Sequence, residues 1–255
     1  MRVVRTVEEL RAEPRNGIVG LVPTMGALHD GHVALFDTAR RDCDIVVASL
    51  FVNAAQFNED ADLAAYPRDF HADAGVAEQA GVDILFAPDD DVMYPPEFAT
   101  WVDPAGVAEG LEGAYRPGHF RGVATVCLKL FNVVRPDYAY FGRKDAQQVA
   151  VLKQLVDDLH LELEIRVVPT VREADGLALS SRNDRLSAEE RARALAIPRS
   201  LETRDPERAR ELLEEAGLEV DYVAVADLDG PTLAVAARVG SVRLIDNVLL
   251  EGDPE

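Results

Sequence analysis

Two histidines three residues apart, His29 and His32, stand in the run Pro23-Thr24-Met25-Gly26-Ala27-Leu28-His29-Asp30-Gly31-His32. An apolar segment precedes the run and a helical pattern follows it. On a first helical turn, positions three apart share one side, so both imidazoles can donate to one phosphate group. Gly31 admits a ligand close to the backbone, and free N–H groups at a helix start favour an anion. A solvent-exposed pair and a metal-binding pair are the alternatives. H-x-x-H without cysteine or carboxylate partners is a weak zinc signal. Neither a Walker A pattern nor G-x-G-x-x-G occurs, which excludes the commonest phosphate loops.

Three further clusters carry chemistry. Asn53 and Gln56, in Phe51-Val52-Asn53-Ala54-Ala55-Gln56-Phe57, are amides suited to hydroxyl and carboxylate groups without adding charge. Phe141-Gly142-Arg143-Lys144-Asp145-Ala146-Gln147-Gln148 gathers cations, a carboxylate and two amides, and Lys144 is one of only three lysines in the chain. Asp175-Gly176-Leu177-Ala178-Leu179-Ser180-Ser181-Arg182-Asn183 reads as a flexible loop. Ser180, Ser181 and Arg182 make a phosphate clamp, with mobility from the glycine.

The elements that must position these clusters alternate. Thr6 and Glu9 form a capping-box pattern ahead of a short helix. Strands are expected at 17–23, 44–52, 82–87, 137–141 and 163–168, and helices at 31–41, 68–80, 119–134 and 145–158. Continuously apolar strands between helices predict an α/β fold, a Rossmann-like parallel sheet with helices on both faces. Its ligand site belongs at the carboxyl ends of the strands. After Val168 the texture changes to a polar loop. A capping box at Ser187–Glu190, charged helices to about 216 and strands near 219–227 and 241–246 follow. Two domains are expected: a Rossmann-like catalytic domain over 1–168 and a small α+β C-terminal lid domain over 169–255.

Composition narrows the classes. With 48% hydrophobic residues, the 255-residue chain can bury a sizeable core. The balance of 26 basic against 46 acidic residues, a net charge of -20, repels polyanions and argues against nucleic acid and membrane surfaces. Salt adaptation or a codon bias with a solvated acidic surface both account for the acidity. Cys43 and Cys127 lie in apolar surroundings without metal spacing, which suits a reducing compartment. No signal region and no apolar run long enough to span a membrane is present, so a cytoplasmic location is expected.

The blocks VPTMGALHDGH, FVN-x-x-QF, GHFRGVATV-x-LKLFN, FG-x-KDAQQ and PTVREADGLALSSRN, in order over about residues 18–186, resemble the pantothenate synthetase family. These enzymes are pantoate–β-alanine ligases of the nucleotidyltransferase superfamily with its H-x-G-H signature. The resemblance implies Mg²⁺-ATP as a substrate, with Mg²⁺ held mainly by the ATP phosphates, and a homodimer. Partners would be pantoate, β-alanine and ATP. Met25, Gly26, Ala27, Leu28, His29, Asp30, Gly31 and His32 would contact ATP, with His29 and His32 at the phosphates. Gly142, Arg143, Lys144 and Asp145 would hold the nucleotide, Val171 would lie near the adenine, and Leu179, Ser180, Ser181 and Arg182 would close over it. Gln56 would bind pantoate and β-alanine, and Gln148 pantoate. The implied catalytic set is His32, His29, Lys144 and Arg182.

Three departures from the family pattern are visible. Ala54 and Ala55 replace proline and a large apolar residue, which loosens the pantoate pocket. Arg143 replaces glutamate or glutamine. The region after Asn183 is short, so the helices over 187–216 should be abbreviated. Two other readings compete. A nucleotidyltransferase acting on a phosphate-bearing acceptor would want Arg and Lys where Gln56 and Gln148 stand. A non-catalytic binding protein would be expected to lose a catalytic histidine or Lys144, and all are present. His71 and His160 are read as exposed residues of amphipathic helices. His119 is divided between a direct role and helix capping or dimer contact. Trp101 is read as packing or interface rather than stacking on adenine.

Overall fold

A computed structural model describes residues 1–58 and 60–251. Residues 252–255, the end of the expected second domain, lie outside the described residues. In chain order the elements are β1 (Arg2–Val4), α1 (Val7–Ala12), β2 (Val19–Thr24), α2 (Asp30–Asp42), β3 (Ile45–Leu50), α3 (Asp60–Ala65), α4 (Phe70–Gln79) and β4 (Ile84–Phe86). There follow α5 (Asp90–Met93), α6 (Glu112–Tyr115), α7 (His119–Val134), β5 (Tyr138–Gly142), α8 (Ala146–Asp158) and β6 (Glu164–Val168). The remainder is α9 (Ala188–Ala194), α10 (Ala196–Glu202), α11 (Pro206–Glu215), β7 (Glu219–Asp227), β8 (Pro231–Val239) and β9 (Val242–Leu249). The chain divides into two compact units, Met1–Phe141 with Val151–Val168, and Gly142–Ala150 with the segment from Pro169 on.

In the first unit, six strands form a sheet in the order β1-β4-β3-β2-β5-β6. The β1–β4, β3–β4, β2–β3 and β2–β5 pairs are parallel, with Val22 opposite Ala48 and Gly20 opposite Tyr138. Successive strand residues point to opposite faces, so a sheet covered on one side would bury every second residue. Here both sets are buried. Val22, Val46 and Ala48 pack with Leu35, Phe36 and Ala39 of α2 and Ala77 of α4. Their alternates Leu21, Val47 and Ala139 are equally buried. Burying a side chain such as Phe36 or Leu21 contributes roughly 1.5–3 kcal/mol. From β2 the chain winds through β3 and β4 in one direction, then returns to add β5 on the other side of β2. That reversal is the switch point, where the carboxyl ends of neighbouring strands open a crevice.

The second unit contains an antiparallel sheet ordered β7-β8-β9. Leu233, Val235, Ala237 and Val239 of β8 pack against Ala194, Ile197, Leu201, Ala209 and Leu213 from α9, α10 and α11. All three helices are short, as the sequence leads one to expect. The middle strand β8 is an addition to the sequence reading. Its sequence, PTLAVAARV, is half alanine and valine without clean alternation, because nearly every position is buried. Burial on both faces erases the period-two signal.

Elsewhere the expected elements appear with boundaries shifted by up to three residues. His160 differs: it stands exposed in a turn after α8 with a φ of +51°, not inside a helix. Cys43 and Cys127 are free and buried. Burial pushes the Cys127 thiol up to about 12. Among the described residues, no helix is long and apolar enough to cross a membrane.

Candidate active site

The turn after β2 is the best-defined part of the first unit's switch point. Gly26 and Ala27 both have positive φ, +91° and +53°, which turns the chain sharply out of the sheet and into α2. His29 is the N-cap of α2. Its Nδ1 accepts from the Gly31 N–H at 3.1 Å, while the His29 N–H donates to Nδ1 of His32 at 3.2 Å. The two histidines thus make a reciprocal capping box, and their ring centroids lie 4.3 Å apart. A ring nitrogen that accepts from a backbone N–H carries no proton, so each neutral ring bears its proton on Nε2. The local fold has therefore chosen the tautomer of both imidazoles.

The expectation of free N–H groups at this helix start is corrected by the structure. Ala27 and Leu28 donate to the carboxylate of Asp73, at 3.2 and 2.8 Å. His29 and Gly31 donate to the imidazoles, and His32 donates to the His29 carbonyl at 2.7 Å. Those five amides are engaged inside the protein.

Gln56 lies in a 3₁₀ turn, Ala54–Gln56, that follows β3. Its side chain is buried and its Oε1 accepts from Nδ2 of Asn53 at 2.9 Å, which commits the amide oxygen and turns the NH₂ to other partners. Asn53 also donates to the Gly122 carbonyl at 3.1 Å. The Gln56 carbonyl accepts from Nδ1–H of His119 at 2.9 Å, and Nε2 of His119 meets Nη1 of Arg116 at 3.2 Å. His119 opens α7 and holds the main chain of Gln56, a positioning task. Gly122 makes this approach possible: a Cβ there would lie 2.5 Å from the Ala55 carbonyl oxygen and 2.7 Å from the Gln56 nitrogen. Trp101 stacks on Tyr94 at 5.8 Å and carries Arg121 over its ring at 4.8 Å, in line with a packing role.

In the second unit, Arg143, Lys144 and Asp145 form a single 3₁₀ turn ahead of α8, and Gln148 lies in the first turn of α8. Asn247 of β9 donates to the carbonyls of Arg143 and Lys144, at 3.0 and 2.9 Å. The Arg143 side chain is buried, donates to Thr232 Oγ1 at 2.8 Å and meets Asp229 Oδ2 at 3.5 Å. Burial lowers its pKa and Asp229 opposes that shift. Its guanidinium thus anchors the turn on the antiparallel sheet.

The loop 171–183 is more tightly built than a flexible-loop reading suggests. Leu179 donates to the Val171 carbonyl at 2.9 Å, so these two expected nucleotide contacts are neighbours. Asn183 Nδ2 donates to the Ala178 carbonyl at 3.0 Å and Glu173 Oε1 at 2.6 Å. Arg191 grips Glu173 and Asp175, with its Nη2 2.7 Å from Asp175 Oδ2. Ser180 accepts from the Arg182 N–H at 3.2 Å, shaping the Ser180–Arg182 turn.

Sequence reasoning missed Asp73 and Asn247. Each left a trace. Asp73 falls within the apolar stripe of Phe70, Ala74 and Ala77 on α4, and Asn247 sits in an otherwise apolar strand.

A doubly covered parallel sheet with two Nε2–H imidazoles at its switch point defines an α/β protein built to hold an anionic group. The sequence profile of the pantoate–β-alanine ligases matches residues 2–249. The chain belongs to the pantoate–β-alanine ligase family. A pantothenate synthetase from Chloroflexus aurantiacus is 50% identical over 279 aligned residues, covering 99% of each chain. One from Rhizorhabdus wittichii is 50% identical with complete coverage of both. Among solved structures, a pantothenate synthetase from Thermus thermophilus superposes with a TM-score of 0.94 at 45% identity, covering 99% of this chain and all of that one. A pantoate–β-alanine ligase from Francisella tularensis, complexed with β-γ ATP and β-alanine, gives 0.90 at 35% identity with full coverage of both.

Proposed function

We propose that this protein joins pantoate to β-alanine with ATP, through an enzyme-bound pantoyl adenylate, and releases AMP and pyrophosphate. The family match over residues 2–249 carries this reading. The tautomer-fixed pair His29 and His32 and the oriented amide of Gln56 support it.

In the first step a pantoate carboxylate oxygen attacks the α-phosphorus of ATP. The bond to the bridging oxygen breaks and pyrophosphate leaves with that electron pair. The Nε2–H groups of His29 and His32 stabilise the developing phosphate charge as preorganised donors. Lys144 and Arg182 supply positive charge for the same purpose. Met25 to His32, Gly142 to Asp145, Val171 and Leu179 to Arg182 are the residues we assign to ATP. The turn Met25–His32 acts mainly by shaping the two histidines, and Arg143 acts through its main chain. Gln56 and Gln148 bind pantoate, and Gln56 also meets β-alanine. In the second step the neutral amine of β-alanine attacks the acyl carbon. AMP leaves with the mixed-anhydride oxygen and the amine surrenders a proton. Excluding water between the two steps protects the anhydride, a task we assign to the second unit as a lid.

Among the described residues no group of three or more His, Cys, Asp and Glu side chains is arranged to hold a metal ion. On the family resemblance magnesium is assigned to the phosphates of ATP, and Mg·ATP is written as the substrate. We further propose a cytoplasmic homodimer, on the family resemblance and the even burial of both thiols.

Pyrophosphate exchange tests the function. Labelled pyrophosphate should enter ATP when pantoate is present and β-alanine absent. Exchange without pantoate, or none with it, defeats the reading.

A further inference from the structure

We infer that Asp73 is a positioning residue for the phosphate-binding turn, a built-in anion that holds the turn formed by Gly26, Ala27 and Leu28 in the shape that aims His29 and His32. The inference rests on the proposed function and deepens it at the same site.

Asp73 is only 5% exposed, on the apolar stripe of α4. Buried carboxylates are rare without a compensating cation. Among the described residues no cation pairs with it. Its partners are two backbone N–H groups of the turn: Oδ2 takes Ala27 and Oδ1 takes Leu28. The turn through Gly26 and Ala27, both at positive φ, brings the Ala27 and Leu28 N–H groups onto the two oxygens of one carboxylate. A Cβ on Gly26 would lie 2.7 Å from Asp73 Oδ2, so the glycine both permits the backbone and makes room for the carboxylate. Tyr66 adds a weaker tie, its hydroxyl 3.4 Å from the Gly26 carbonyl oxygen.

Two consequences follow for the reaction. The substrate phosphates do not use the Ala27 and Leu28 amides while Asp73 occupies them. The bonded path also runs without a break from Asp73 through Leu28 into His29, whose own N–H fixes the His32 ring. Ala27 is not a glycine, so its left-handed conformation persists only where surrounding bonds over-determine it. Removing the carboxylate frees the turn to relax and swings the start of α2.

The test uses Asp73→Asn and Asp73→Ala in the full chain. Asparagine keeps one acceptor for Leu28 and places an NH₂ against the Ala27 donor; alanine keeps neither. Misplacement of a catalytic group costs roughly ten- to a hundredfold, so the Asn variant should lose about tenfold in pyrophosphate exchange and in ATP affinity by calorimetric titration. The KM for pantoate should stay within about twofold, and Asp73→Ala should lose more. A folded Asn variant with unchanged ATP affinity and exchange overturns the inference. So does a parallel weakening of both substrates that simply tracks a lower thermal midpoint. Absence of pantoate-dependent exchange in the unmodified protein would instead indict the function, and the ATP titration would still decide the role of Asp73.

Discussion

Two strand-to-helix turns do related work with opposite polarity. The turn after β2 is pinned through its N–H groups, by a carboxylate from α4 and by its own two imidazoles. The turn after β5 is pinned through its carbonyls, by the amide of Asn247, while Arg143 anchors its side. The first arrangement places a carboxylate beside the backbone and fixes the proton of each neutral imidazole on Nε2. The second uses a neutral amide and leaves a lysine. A turn can thus be held by whichever backbone group its chemistry does not require.

The sharpest way to break the comparison is at the donors themselves. His32→Ala should lower adenylate formation by roughly 10²–10³, as for loss of a preorganised donor. It also removes the cap on the His29 N–H, worth about 1 kcal/mol of stability. Single-turnover kinetics beside a denaturant melt separates the two, and near-native turnover would remove His32 from the catalytic set.

At the second turn, Asn247→Ala leaves two carbonyls without their donor. At about 1–3 kcal/mol per unsatisfied buried group, urea unfolding should show a loss of about 2–6 kcal/mol. Catalysis should weaken through displacement of Lys144. A variant as stable as its parent would mean that Asn247 does not hold the turn.

Gly122→Ala probes the seat of Gln56. Overpacking typically costs about 1–3 kcal/mol, and here the displaced group is the turn carrying the substrate amide. The KM for pantoate should rise several-fold more than that for ATP. An equal rise in both would separate Gln56 from pantoate.

The smallest effect expected is at acid pH. Hydrogen bonds from Arg191 hold the carboxyls of Glu173 and Asp175 below their ordinary values of 4.5 and 3.8. Groups with depressed folded pKa values add stability above the unfolded value, and that stability is lost as pH falls through the folded one. Stability should therefore drop below about pH 4.5. Arg191→Ala should flatten that acid limb slightly, since the groups are part-exposed and screened. An unchanged acid limb would show the clamp to be electrostatically idle.

Much of this organisation was legible in the sequence. The strands β2, β3 and β5 declare themselves because parallel strands buried on both faces read as apolar runs. The histidine pair is legible as a helix start, because the H-x-G-H run follows an apolar strand and opens a helical pattern. Less legible were features that depend on contacts distant in sequence. Asp73 looks like one more acid in an acidic chain until α4 is laid beside the turn 46 residues earlier. Asn247 reaches a turn more than a hundred residues away. The strand β8 hid because burial on both faces of an alanine-rich segment left neither an alternation nor a run of strong strand formers. The free-amide reading of the helix start failed for a related reason: local pattern shows that N–H groups need partners, and only the tertiary fold shows which partners they have found.

The central claim is that pantoate's carboxylate attacks the α-phosphorus. It is tested most directly with pantoate carrying oxygen-18 in both carboxylate positions, allowed to react with ATP and β-alanine on the purified protein. Mass spectrometry should find one labelled oxygen in AMP and one in pantothenate, because the mixed-anhydride oxygen leaves with the nucleotide. Unlabelled AMP, or ADP accompanied by labelled inorganic phosphate, would contradict the account.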